Sequence, residues 1–178
     1  MRRTRSYSNA AIVGFIGGIV GSWTMNLLMT GVARLVAGKA EGDPQRNERE
    51  IARRVRKFEH RADPTGRVAE VISITVLRRH LKEREKRIAG PVVHYVFGAI
   101  AGAAYAIAAE SKEGVAAGYG TAFGLGLWAA GDEIAVPALR LAPAPWTRPP
   151  INHAAMAGAH VVYGLTVETV RRILRRAG

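Results

Sequence analysis

Apolar residues in this chain come in long unbroken runs set apart by charged segments. Residues 10–33, 91–109, 115–131 and 154–167 each hold at most one acidic, basic or histidine side chain. A helix needs about 20 mostly apolar residues to cross a bilayer core roughly 30 Å thick, and the first three runs reach or approach that length. The pattern predicts an all-α polytopic membrane protein with four transmembrane helices, at residues 10–36, 90–110, 114–136 and 151–170, packed as one bundle through small residues. Arg2, Arg3 and Arg5 precede the first run, as in a secretory signal. The run is too long for one, and Arg34 to Gly38 makes a poor cleavage site, so a retained helix is expected.

Glycine spacing refines the bundle. Gly14-x-x-x-Gly18 and Gly17-x-x-x-Gly21 overlap in the first run, and Gly98-x-x-x-Gly102, Gly114-x-x-x-Gly118 and Gly120-x-x-x-Gly124 follow in the next two. Small residues at this spacing let helices approach closely where no water drives association. These faces are expected to be helix seams, within the bundle or between subunits. A second helix is expected to start at Gly90-Pro91, since proline is tolerated in a first helical turn.

Residues 39–89 are too charged to enter lipid. Asp43-Pro44 opens a run of helix formers from Arg46 to Arg61, and the turn cluster Asp63-Pro64-Thr65-Gly66 ends it. A second run, Arg67 to Arg87, starts apolar and ends with Arg78, Arg79, Lys82, Arg84, Lys86 and Arg87. It is too short to span a bilayer in its apolar part, so the segment is read as a basic amphipathic helical hairpin at the headgroups, binding anionic lipids. The proline-rich stretch Ala142 to Pro150 is a stiff connector whose Trp146 suits the membrane interface.

Composition narrows the chemistry. The chain has no cysteine, which removes disulfides, thiolate metal sites and thiol nucleophiles together. A net charge of +12 raises nucleic acid as a partner, but no stretch interleaves aromatics with Lys and Arg as a single-strand platform would. Anionic lipid is preferred. No phosphate-binding loop or dinucleotide fingerprint is present.

An ionisable side chain within apolar surroundings marks a functional site by default. His94-Tyr95-Val96-Phe97-Gly98 and His160-Val161-Val162-Tyr163-Gly164 repeat one such setting, and Asp132-Glu133 lies between them. Successive spans alternate direction, so Asn26, His94, Asp132, Glu133, His153 and His160 are expected on one membrane face. His153 and His160 are seven residues apart, on one side of a helix, and Gly164 and Glu168 continue that stripe into the bundle. Asp132 and Glu133, being adjacent, point about 100° apart and are not expected to form one dyad; one of them is expected to meet Arg140 or Arg148. Glu168, Arg171 and Arg172 are read as ion pairs.

Imidazole and carboxylate together suit a divalent metal, with His94, Asp132, Glu133, His153 and His160 as ligand candidates. Two facing histidines, His94 and His160, suit a haem iron. A ladder of such groups suits a proton path. Against these stands the plainer reading of His94 and His153 as interfacial residues bonded to loop carbonyls. Basic residues are divided between the two sides, and the arginines of both tails favour cytoplasmic termini.

The pattern His94, Gly98, Gly102-x-x-Tyr105, Ala109-Glu110, Pro137-x-Leu139, Pro143-x-Pro145-Trp146-x-x-Pro149, His160, Glu168 and Arg171-Arg172 resembles the YagU-type bacterial inner-membrane proteins. The resemblance covers about residues 91–176 and the glycine-rich first helix, and leaves residues 39–89 without a counterpart. That family has no assigned function. The resemblance implies a small multi-pass protein of the bacterial inner membrane, and places His160 and Glu168 within the recurring pattern. Two readings follow for function. One is a polar His, Asp and Glu site inside the bundle for a metal, haem or protons, more plausibly without enzymatic turnover. The other is an accessory or scaffolding subunit, homo-oligomeric or in a larger membrane complex, docked through glycine faces and the basic loop.

Overall fold

The computed structural model describes residues 6–37 and 64–177. The first arm expected of the hairpin, residues 46–61, lies outside them. Five helices make up the described chain: α1 (Tyr7–Ala37), α2 (Pro64–Ile72), α3 (Glu83–Ser111), α4 (Thr121–Trp128) and α5 (Pro150–Ala177). Helix α2 widens into a π turn over Ser73–Leu77, and α4 continues as a π-helical stretch, Ala129–Ala135, with a last α turn at Val136–Ala138.

Helix α3 starts earlier than expected, because the Glu85 carboxylate turns back to accept the Lys82 backbone N–H at 2.8 Å and caps the first turn. Pro91 therefore lies inside the helix, and Arg84, Lys86 and Arg87 belong to its first turns rather than to the hairpin. The third span differs more. Glu113–Gly120 is a 3₁₀ stretch broken by non-helical backbone at Ala117, Gly118 and Tyr119. Gly118 and Gly120 take φ of +66° and +84°, which glycine adopts without a Cβ penalty. The same glycine spacing that reads as a helical seam serves here as a turn, so regular helix begins only at Thr121.

Glycine faces set the order of the bundle. Gly14 and Gly18 on α1 meet the backbone at Gly102 and Gly98 on α3, while Gly17 and Gly21 meet Val167 and Tyr163 on α5. Gly120 and Gly124 meet Gly164 and His160. Each pairing is antiparallel, so α1 is sandwiched between α3 and α5, and α4 lies on the far side of α5. These seams are used within one chain. Gly114 has open space around it and belongs to no seam. Met25, Tyr105, Ala159, Tyr163 and Val167 form the core, with Phe123 stacked on Tyr105 at 4.4 Å between ring centroids.

Two helices turn large apolar faces outward, and a few ionisable side chains are buried. Ile12, Phe15, Ile19, Trp23 and Leu27 form an exposed stripe on α1, and Val92, Val96, Phe97 and Ile100 do the same on α3. Glu110, His160, Glu168 and Arg171 are buried. Among the described residues, Tyr7–Val32 and Glu83–Ser111 are long and apolar enough to cross a membrane, and only 33% and 28% of their apolar windows are buried. The core helix of a water-soluble protein would hide most of such a face. Helix α4 is shortened by its broken start, and α5 is interrupted by His153, His160, Glu168 and its arginines.

Candidate functional site

The antiparallel packing of α4 and α5 decides which polar groups meet. Side chains on a helix lean toward its N-terminus, so those on two antiparallel neighbours lean in opposite axial directions, and an acid late along α4 leans toward a histidine early in α5. Asp132 and Glu133 sit in the π-helical part of α4, a geometry that recurs at functional sites. Asp132 Oδ2 comes within 3.9 Å of His160 Nδ1, and Glu133 Oε1 within 2.9 Å of His153 Nδ1. Arg148 of the connector reaches Glu133 Oε2 at 3.4 Å and donates to the Asp132 carbonyl at 3.2 Å. The two neighbouring acids thus serve two different histidines, and Arg148 is the arginine that joins them.

Hydrogen-bond inventory fixes proton positions. His160 Nδ1 lies 2.9 Å from the Met156 carbonyl, which can only accept, so Nδ1 carries the hydrogen. His153 stands between two acceptors, with Nε2 at 3.0 Å from the Pro145 carbonyl and Nδ1 at 2.9 Å from the Glu133 carboxyl. Nε2–H satisfies the carbonyl. The second contact needs one more proton, held either on Nδ1 as imidazolium or on Glu133 as a neutral acid. Beside His160, Asp132 Oδ2 is buried and accepts no hydrogen bond from the described residues, an unusual state for a carboxyl oxygen.

A second cluster closes the other end. Glu168 is fully buried; it accepts from Tyr105 Oη at 2.9 Å, Arg171 Nε at 2.7 Å and Arg172 Nε at 2.6 Å. Glu110 accepts from Arg171 at 3.4 Å and from Arg175. Arg172 also covers the ring of Tyr119 at 4.3 Å. The expected ion pairs of Glu168 are present; Glu168 and Arg171 are buried, while Arg172 is partly exposed. Glu110 and Tyr105 are partners that sequence reasoning missed. Their signal was available in the position of Glu110 just past an apolar run, at the same end of the bundle as the α5 arginines. Between the two clusters Tyr163 donates to the Gly98 carbonyl at 2.5 Å, and Phe123 lies between the Tyr105 and Tyr163 rings.

Two candidates fall elsewhere. Asn26, expected to be a buried polar group, is exposed on α1, because Ser22 and Met25 occupy the inward face there; its amide meets Tyr95 Oη at 3.5 Å. His94 lies edge-on to Tyr95 at 5.8 Å between ring centroids and takes no part in the two acid–histidine pairs. Among the described residues no three His, Asp or Glu side chains converge as a metal site. The donors are matched two by two.

Over residues 47–169 the chain matches the family described as protein of unknown function (DUF1440). It belongs to that family. The DUF1440 match takes in both acid–histidine pairs, Glu110 and Glu168, and it starts inside the charged segment. Residues 47–89 of the charged segment therefore have a counterpart in this family, residues 39–46 lie outside the match, and so does the glycine-rich α1. No curated protein and no solved structure matches the chain.

Proposed function

We propose that this DUF1440 protein is an integral protein of the bacterial inner membrane, of the YagU type, that binds and exchanges protons at paired acids and histidines near one bilayer face. Four helices, α1, α3, α4 and α5, cross the membrane in this reading, with both termini cytoplasmic and the Pro145 connector on the opposite side. The outward apolar faces of α1 and α3 support the membrane setting. Apolar residues face outward, where lipid would solvate them, and the ionisable groups of α4 and α5 face inward.

The observation that carries the proton reading is His153 held between the Pro145 carbonyl and the Glu133 carboxyl. That arrangement has one mobile proton and two places for it. Asp132 Oδ2, buried without a hydrogen-bond donor among the described residues, is the next acceptor, and His160 adjoins it. Pairwise matching favours proton exchange over metal ligation, which needs three or more convergent donors. Because the glycine seams are used within the chain, they lend no support to scaffolding through those faces.

Difference infrared spectroscopy on the purified protein in lipid tests this. Exchange from H2O into D2O is expected to shift carboxyl and imidazole bands, and Glu133→Gln is expected to remove part of that shift. Spectra free of any exchangeable carboxyl or imidazole band would overturn the reading.

A further inference from the structure

A cavity of about 600 Å³ opens beneath the proline-rich connector, at the end of the bundle that holds the acid–histidine pairs. Its lining includes Ile134, Pro137 and Trp146 together with Arg67 of α2, Arg140 and Glu133. The Glu133 carboxyl is already engaged with Arg148 and His153. Arg67 and Arg140 are both exposed, and neither pairs with an acid among the described residues. An arginine stays protonated throughout the ordinary pH range and matches the geometry of a phosphate, so the cavity presents two cations without an acid partner among the described residues, over an apolar wall.

Backbone geometry adds a second, independent observation. Helix α4 ends in a Schellman turn, in which Leu141 N–H donates to the Val136 carbonyl at 2.9 Å and Arg140 N–H to the Pro137 carbonyl at 2.9 Å. The residue at its turning point takes φ of +57°, and it is Arg140. Glycine is the inexpensive choice for that position. An arginine held in left-handed backbone at the mouth of a cavity fits strain retained for binding. Trp146, 85% exposed at the rim, has the amphipathic character of a headgroup-level anchor.

We propose that this cavity binds the phosphodiester of an anionic phospholipid, clamped between Arg67 and Arg140, with the acyl chains leaving over Ile134 and Trp146. The proposal rests on the membrane reading and is independent of proton exchange. Charge selects the occupant: two guanidiniums favour a net anionic headgroup over a zwitterionic one, and the apolar wall favours a lipid over free phosphate.

The test uses the full-length protein in mild nonionic detergent, titrated with phosphatidylglycerol, with phosphatidylcholine of the same chains, and with inorganic phosphate, and read by native mass spectrometry. Phosphatidylglycerol is expected to bind saturably, and at least about tenfold more tightly than phosphatidylcholine, whose trimethylammonium the two guanidiniums repel. Arg140→Gly and Arg67→Gln are each expected to remove most of that preference. Arg140→Gly should keep or raise the unfolding midpoint, which separates lost binding from lost fold. If Arg140→Gly fails to fold, Arg67→Gln carries the test. Equal binding of the two lipids, or displacement of phosphatidylglycerol by inorganic phosphate at equal concentration, would overturn the proposal. A protein that stays soluble without detergent would instead overturn the membrane reading.

Discussion

Two glycines on α1 offer a matched pair of substitutions. A methyl group added at Gly18 would lie 2.8 Å from Ala99 Cα and closer still to the Gly98 carbonyl, whereas one added at Gly31 meets nothing within 4 Å. Both changes gain the same helix propensity, about 1 kcal/mol for Ala over Gly. Only Gly18→Ala must also push two backbones apart. Since ordinary carbon contact begins at 3.4 Å, α1 and α3 must separate locally by at least about 0.6 Å, a gap that forfeits a quarter or more of the dispersion attraction per atom pair. Overpacking of this kind costs about 1–3 kcal/mol, and the upper half applies where only backbone atoms can yield. Gly31→Ala is therefore expected to unfold about 2–3 kcal/mol later than Gly18→Ala. Gly17→Ala, whose nearest contact is the Val167 carbonyl at 3.3 Å, should fall between them. The assay is reversible unfolding of the full-length protein in mild detergent, followed by circular dichroism. Equal midpoints for Gly18→Ala and Gly31→Ala would refute the seam.

Other outcomes follow from single side chains. Glu168→Gln leaves the buried Arg171 with only Glu110 opposite it, and is expected to cost about 3 kcal/mol, the low end for breaking a buried pair; a thermal midpoint in detergent equal to that of the parent would contradict the cluster's role. Arg140→Gly relieves left-handed backbone and is expected to stabilise the fold by about 1 kcal/mol, read in the same unfolding assay. The His80 ring bonded to Glu70 at 2.8 Å holds that carboxyl below its ordinary range, with the Leu81 N–H helping at 3.3 Å. Because the folded-state value is depressed, the contribution is complete above the unfolded value and disappears as pH falls through the folded one. The protection factor of the Leu81 amide, taken against its intrinsic exchange rate at each pH, should therefore fall on acidification, and Glu70→Gln should abolish that fall. For orientation, a tag after Gly178 is expected to be protected from impermeant reagents in sealed cells, and labelling from outside would reverse the proposed topology.

Run length and glycine spacing made much of the bundle legible. The unbroken apolar stretches mark α1 and α3, and the Gly14/Gly18 and Gly98/Gly102 pairs are the seam they make. The seven-residue spacing of His153 and His160 places both on the side of α5 that faces α4. Other features were hidden for physical reasons. Gly114, Gly118 and Gly120 satisfy a seam and a turn equally well, and nothing local decides between them. The start of α3 depends on a carboxylate three residues into the helix, beneath a run of charge that reads as loop. Which acid meets which histidine depends on the lean of side chains across an antiparallel pair, and thus on tertiary placement. The partnership of Glu110 with Arg171 and Arg175 spans 61 and 65 residues, beyond the reach of any local pattern.

The sandwiching of α1 between α3 and α5 bears on how the protein is made. Synthesis proceeds from the N-terminus, so α1 leaves the ribosome first and α5 last. Yet Thr24 on α1 bonds Thr166 on α5 at 3.0 Å, across 142 residues of sequence. Half of the first helix's glycine surface must wait, uncovered, for α5 to be translated, and Glu110 waits with it for its arginines. Assembly can begin when α3 emerges, but it closes only once α5 has followed. A polypeptide interrupted before α5 would present quality-control proteases with a bare glycine groove and a charge lacking its counterion.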